Sequence, residues 1–90
     1  MTAQATPVNV TATGVVSPVA CTYRGLAVFS TAGATVTVFD NASAASGTVL
    51  AKFVLAANGS KEIDIADGAR CAAGIYLQAS AAIEGHVRVG

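Results

Sequence analysis

The feature that most restricts how this chain can fold is an alternation of apolar and polar residues with a period of two. It runs along almost the whole sequence, and Gly, Asn, Asp, Ser or Pro residues interrupt it at short intervals. Successive side chains of an extended strand point to opposite faces, so the pattern is typical of strands with one face in a core. Short strands with turn residues between them indicate a β-sandwich or barrel. We therefore predict an all-β fold.

About seven strands are predicted from this alternation. They are Pro7–Val16 (with a bulge or bend at Gly14), Thr22–Thr31, Ala34–Asp40, Thr48–Ala56, Ser60–Ala66, Ala69–Ala79 and Ala82–Gly90. The dipeptides Asn58-Gly59 and Asp67-Gly68 are predicted tight turns. The alanine-rich stretches at 42–45 and 79–82 are too short to nucleate a helix, so we expect no significant helix. Strands at this spacing can close into two antiparallel sheets.

The alternation also predicts which side chains share a face. In the second predicted strand one face holds Leu26, Val28 and Ser30, and the other holds Tyr23, Gly25, Ala27 and Phe29. In the fourth predicted strand one face holds Val49, Ala51, Phe53 and Leu55. In the fifth, Ile63 and Ile65 are expected to point inward, and Glu62 and Asp64 outward. In the last predicted strand, the residues expected to face the core are Ile83, Gly85, Val87 and Val89.

The length of 90 residues predicts one domain with a thin core. Residues 1–6 are small and polar and are predicted to form a flexible N-terminal arm, with residues 7–90 forming the single sandwich domain. The apolar fraction is rich in alanine, which buries little area per residue. A domain with a modest core often gains stability by burying surface against partners, which is a first indication of an oligomer or an assembly.

Charge narrows the classes of partner. Five basic and five acidic residues cancel, and charged residues make up 11% of the chain, against about 25% in ordinary soluble domains. Without a basic patch, nucleic acid is not an expected partner.

No apolar run reaches the ~18 residues of a membrane span, and the N-terminus lacks the features of a signal peptide. We expect synthesis in the cytoplasm and a weakly charged surface suited either to docking or to an ordinary alanine-rich domain.

Cys21 and Cys71 are too few and too far apart in sequence for a zinc site. Cys21 precedes the second predicted strand, and Cys71 precedes the strongly apolar part of the sixth, so the two can lie side by side at one end of the fold. In a cytoplasmic product we expect two buried free thiols. A disulfide formed after release from the cell is the alternative.

No residue set predicts catalysis, cofactor binding or a metal site. His86 is the only imidazole, and it is expected on a solvated strand face beside Glu84 and Arg88. The loop residues Asp40, Asn41 and Ser43 offer oxygen atoms, but their spacing does not fit a calcium loop. A sugar-binding platform would have to use Tyr23 and Tyr76, which are expected to cap the edges of the core. An enzyme is therefore the least expected class.

Several segments together resemble one group of proteins. They are Thr22–Val28, Thr35–Ser43, Ser46–Ala51, Ala73–Leu77 and Gly85–Val89. They resemble motifs of small bacteriophage capsid decoration proteins. These motifs are a Gly-Leu strand, a Val-Thr hairpin followed by an aromatic residue and Asp-Asn-x-Ser, and a Gly-Ile-Tyr strand near the end. The resemblance extends from about residue 22 to residue 90 and consists of residues that determine fold. This chain departs from the group in its alanine content and its two cysteines.

The resemblance implies a compact, jelly-roll-like sandwich that acts as a cement or decoration protein on the virion. The implied partner is the major capsid protein, with the chain as a homo-oligomer (a trimer or dimer) on the capsid surface. A candidate partner-binding segment covers most of the arm and the first two residues after it, and it can add a strand to a capsid-protein sheet or lie along it. This segment comprises Thr2, Ala3, Gln4, Ala5, Thr6, Pro7 and Val8.

Two other roles suit a β-sandwich of this kind. One is a carbohydrate-binding or host-adhesion module of a phage fibre or tail, and the other is a small tail or head-completion component. Copy number separates the first from a decoration protein, because a shell-covering protein is present in hundreds of copies and an adhesin in a few.

Overall fold

The computed structural model describes residues 6–90, which form eight β-strands and no helix. The strands are β1 (Thr6–Val10), β2 (Gly14–Ser17), β3 (Cys21–Ser30), β4 (Ala34–Asp40), β5 (Thr48–Leu55), β6 (Gly59–Cys71), β7 (Ile75–Ala79) and β8 (Glu84–Val89). The prediction of an all-β sandwich is confirmed.

The strands form two four-stranded antiparallel sheets that pack face to face. Sheet A has the order β1-β8-β3-β6, and sheet B has the order β2-β7-β4-β5. Of the seven connections between successive strands, only the one from β4 to β5 stays within a sheet, so the chain passes repeatedly from one layer to the other. The longest pairing joins β3 to β6 and runs from Cys21–Cys71 to Ser30–Gly59.

The core between the sheets is built from the inward-facing residues of almost every strand. Its fully buried members are Tyr23, Leu26, Val36, Val38, Cys71, Ile75, Leu77 and Val87. Burying one valine, leucine or isoleucine side chain stabilises a fold by about 1.5–3 kcal/mol. Because the core contains few large side chains, its total is modest for ninety residues.

The first predicted strand, Pro7–Val16, is wrong as a single strand. It divides into β1 in sheet A and β2 in sheet B, with residues 11–13 crossing between the layers. Thr13 stabilises the crossing, because its hydroxyl donates to the Ala79 carbonyl at 3.0 Å and accepts from the Ala79 amide at 2.9 Å. The bend predicted at Gly14 therefore marks a change of sheet.

The predicted turn at Asp67-Gly68 is also wrong, and so are the two strand boundaries beside it. Residues 59–71 form one strand, β6, which pairs with β3 on both sides of this dipeptide. Between the pairs Asp64–Gly25 and Ala69–Tyr23, β6 has four residues where β3 has one, so the dipeptide lies in a wide bulge. The chain reverses later, at residues 72–74, and β7 continues in sheet B.

Bulges also change two of the predicted faces. Tyr23, predicted on the face opposite to that of Leu26, is fully buried on the same side, because Arg24 is an extra residue relative to β8 and shifts the alternation by one. In β5 the register shifts between Val49 and Ala51. Val49 is therefore 51% exposed, and Leu50 packs against the core in its place. The inward positions predicted for Ile63, Ile65, Ile83 and Val87 are confirmed.

Gly85 in β8 is the clearest case of a position that requires glycine. Its φ is +148°, and a Cβ atom there would lie 2.0 Å from the Ala27 carbonyl oxygen of the neighbouring strand. At Gly14 a Cβ atom would meet nothing within 4 Å.

We expect G85A to lower the free energy of unfolding by about 3 kcal/mol or more, because the backbone of β3 or β8 must move to admit the methyl group. The matched control G14A should change stability by less than about 1 kcal/mol, since its site is open. Urea unfolding followed by circular dichroism measures both. Equal effects of the two substitutions would contradict the close approach at Gly85.

Candidate interaction surface

The charged residues of the chain are segregated between the two sheets. Of the five basic and five acidic residues, eight lie on β3, β6 and β8 of sheet A: Arg24, Lys61, Glu62, Asp64, Asp67, Arg70, Glu84 and Arg88. Sheet B carries two, Asp40 and Lys52. The sandwich therefore has one charged layer and one layer that is nearly uncharged.

On sheet A, Arg88 is central to the charged face. It lies directly opposite Gly25, which in turn lies opposite Asp64. Because Gly25 has no side chain, the Arg88 guanidinium can cross it and donate to the Ile63 carbonyl at 2.6 Å. Its Nη2 atom also lies 3.9 Å from the carboxylate of Asp64, which is largely exposed. An exposed ion pair of this length adds little stability, so the bond to Ile63 is the main contact.

His86 lies on the same face, as the alternation predicts. Its Nε2 atom is 3.4 Å from Nη1 of Arg88, and its cross-strand neighbours are Asn9 and Ala27. None of these neighbours is a nucleophile that an imidazole could activate. Glu62 and Asp64 are exposed on the edge strand β6, as predicted.

The outer face of sheet B carries a continuous apolar row. Val15 is paired with Tyr76, Tyr76 with Phe39, and Phe39 with Val49, so one residue from each of the four strands contributes. Directly opposed residues share a face and touch. Val15 is 47% exposed and Val49 51% exposed, while the two aromatic rings between them are half-buried. We call these four residues the apolar row.

Uncharged hydrogen-bonding groups lie beside the apolar row on the same sheet. They line an open depression of about 300 Å³ formed by Thr13, Thr35, Thr37, Gln78, Ala79 and Ser80. Some of these groups hold the sheet together, since the Thr35 amide donates to the Ser80 hydroxyl at 2.8 Å. Apolar residues next to neutral donors and acceptors match the composition of the buried centre of protein interfaces, where charges are depleted and Tyr and Phe enriched.

The loop that begins at Asp40 and Asn41, whose spacing does not fit a calcium site, stabilises the fold through hydrogen bonds. The Asp40 carboxylate accepts hydrogen bonds from the amides of Ala72 at 3.1 Å and Ala73 at 3.0 Å, and from that of Gly74 at 3.4 Å. These bonds hold the pKa of Asp40 below its ordinary value, and the bond from Ala73 has the largest effect. Burial has a smaller effect in the opposite direction.

The side chain of Asn41 accepts hydrogen bonds from the amides of Ser43 and Ala44, both at 2.9 Å. Within residues 6–90 no group of three or more His, Cys, Asp or Glu residues is placed to hold a metal ion.

The structure separates the predicted partner-binding segment into two parts. Thr2, Ala3, Gln4 and Ala5 lie outside the described residues. Thr6, Pro7 and Val8 form part of β1, where they pair with β8 opposite Val89, Arg88 and Val87. Strand β1 begins at Thr6, one residue before the predicted start of the sandwich. Among the described strands β1 is an edge strand, so its outer side can accept a further strand.

Cys21 and Cys71 are brought together at one end of sheet A. They are direct cross-strand partners in the β3–β6 pairing, and both are free thiols in the structure. The prediction that they lie side by side is confirmed.

Sequence reasoning missed the apolar row. Its members are separated by tens of residues, and each lies in a strand whose other face is also apolar. A usable signal was the distribution of charge along the chain, because the segments that form sheet B contain almost none.

No family model, no curated protein and no solved structure matches this chain. The described residues also contain no helix with the length and hydropathy of a membrane span.

We expect D40N to lower the melting temperature at pH 7 by several degrees, because the amide loses the charge that accepts three backbone hydrogen bonds. The folded-state pKa of Asp40 is depressed. Its contribution is therefore complete above about pH 4, the ordinary Asp value, and disappears as pH falls through the lower folded value.

Thermal melts between pH 7 and pH 2 test this expectation. The wild type and D40N should converge at the acid end, while D64N, which removes an exposed carboxylate of sheet A, should follow the wild type throughout. A difference between wild type and D40N that stayed constant down to pH 2 would contradict the role given to the charge.

Proposed function

We propose that this protein is a structural component of a bacteriophage virion, a cement or decoration protein that binds the outer surface of the capsid and stabilises contacts between major capsid protein subunits. It docks through the outer face of sheet B and presents sheet A to solvent. The observation that carries the docking surface is the segregation of eight of the ten charged residues onto sheet A. The phage context comes from the sequence resemblance.

Desolvation favours docking through sheet B. Removing a charged side chain from water is costly unless a partner charge meets it with good geometry. A partner on sheet A would have to match the charges around Arg88, Glu62 and Glu84. A partner on sheet B covers the apolar row and neutral groups that accept or donate ordinary hydrogen bonds, with Lys52 at the edge strand β5.

The size of this face favours binding in several copies. The four strands of sheet B are four to eight residues long. At a strand spacing of about 4.8 Å they make a face of about 20 by 20 Å, or roughly 400 Å². A stable interface buries about 800 Å² on each partner, so one copy docked alone would be held weakly. A dimer or trimer docking several such faces would gain avidity, and the proposal therefore includes a homo-oligomer. The edge strand β5 offers a surface for contacts between copies, next to Val54, which is 77% exposed on the outer face of sheet B.

Two double variants test the docking face. V15K/V49K places two positive charges at the ends of the apolar row, on the edge strands β2 and β5. N9K/S60K places the same two charges on exposed positions of the edge strands β1 and β6 of sheet A. The variants thus match in added charge and in strand position and differ in the face they alter.

We expect V15K/V49K to weaken binding to particles assembled from the major capsid protein alone by about tenfold or more, and N9K/S60K to change it by less than about threefold. Co-sedimentation at a series of protein concentrations measures the affinity, after thermal melts have shown that both variants fold. Equal loss in both variants, or loss only in N9K/S60K, would overturn the assignment of sheet B.

Quantitative mass spectrometry of purified virions tests the biological role. A ratio to the major capsid protein near one to one, or a simple fraction of it, is the expected result for a protein that covers the shell. A few copies per particle would overturn it in favour of a fibre or tail adhesin. Complete absence from particles would refute a virion role.

A further inference from the structure

The paired cysteines are chemically active groups that the proposed docking surface does not use. Cys21 is the first residue of β3 and Cys71 the last residue of β6, and the two are directly opposite each other. Directly opposed residues of antiparallel strands have Cα atoms about 4.5–5.5 Å apart and side chains on one face. A disulfide needs a Cα separation of about 4.4–6.8 Å. The strand register therefore allows the bond without a change of backbone path.

The surroundings of the two thiols differ in a way that suits stepwise oxidation. Cys71 is completely buried, whereas Cys21 is only half-buried. A cleft of about 180 Å³ reaches the pair and is lined by Ala20, Cys21, Thr22, Arg70 and Cys71. A small disulfide-containing oxidant can approach Cys21 from this cleft.

We propose that Cys21 and Cys71 form an intramolecular disulfide when the protein passes from a reducing into an oxidising medium, and that this bond locks the end of β6 to β3. The inference does not rest on the proposed virion role. It requires only that the folded chain meets a disulfide oxidant such as oxidised glutathione.

The reaction balances as two thiol–disulfide exchanges. The Cys21 thiolate attacks one sulfur of oxidised glutathione, which forms a mixed disulfide and releases one reduced glutathione. The Cys71 thiolate then attacks the Cys21 sulfur and releases the second reduced glutathione. Two protein thiols are oxidised and one glutathione disulfide is reduced. Burial, with contributions from Cys21 and Asp40, raises the pKa of Cys71 to about 11, so Cys21 is the first to react.

The bond would act where the pairing of β3 with β6 is shortest. Beyond the wide bulge, three residue pairs join the two strands: Cys21–Cys71, Thr22–Arg70 and Tyr23–Ala69. A covalent link at the last pair prevents this segment from fraying. It also closes a loop through most of the sandwich, which reduces the entropy of the unfolded chain.

The test compares wild-type protein equilibrated in oxidised glutathione with the same protein kept in dithiothreitol. We expect the oxidised sample to lose two hydrogens in intact mass and to show no free thiol after denaturation. A non-reducing tryptic digest should then contain residues 1–24 linked to residues 71–88. We also expect the oxidised form to melt about 20 °C higher than the reduced form, as the entropy of closing a loop of this length implies.

C21S is the matched control, because it removes the more exposed thiol and leaves the buried one in the core. Its melting temperature should not depend on the redox state of the buffer. Two free thiols in the oxidised wild type, a stable glutathione adduct or a disulfide-linked dimer would each overturn the intramolecular bond. An oxidised form that melts no higher than the reduced form would overturn the lock.

Discussion

The pairing of β3 with β6 is the contact on which most of the structure depends, and its decisive feature is the wide bulge opposite Arg24. Arg24, which is an extra residue relative to the other neighbour, β8, turns Tyr23 into the core beside Leu26. The bulge begins at Gly25. Because Gly25 has no side chain, Arg88 can cross it and donate to the Ile63 carbonyl. Beyond the bulge the register returns so that Cys21 meets Cys71. A regular ladder would have placed the Tyr23 side chain on the charged face and altered each of these contacts.

The division of charge between the sheets connects the fold with the proposed role. Sandwich folds expose two outer faces, and charges on both of them would favour the solubility of an isolated domain. Here the strands of sheet B carry the apolar row outside as well as core residues inside. A small face of this kind is tolerated in water, and covering it with another protein surface lowers the free energy. In the proposed role, the charged sheet A would keep the outer side of a docked copy hydrated.

The elements predicted well are those whose alternation is uninterrupted. Strand β4 has the predicted bounds, and the inward positions in β6 and β8 follow the pattern, because two-residue periodicity needs no knowledge of neighbours. The errors are concentrated at glycines. Gly14 and Gly68 both suggest a bend, but whether a bend changes sheet, as near Gly14, or stays within one strand, as at Gly68, depends on which strand is available for pairing. The face of Tyr23 was mispredicted for the same reason.

The sequence by itself determined the all-β class, the single thin core and the low charge, because these follow from local alternation and composition. Only the tertiary structure decided that the charges gather on one layer and that Val15, Tyr76, Phe39 and Val49 form a row. It also decided the register that makes Cys21 and Cys71, predicted to lie at one end of the fold, direct cross-strand partners. These are properties of strand order and register. They arise from pairing between segments tens of residues apart, and a shift of one residue in any pair would place different side chains together.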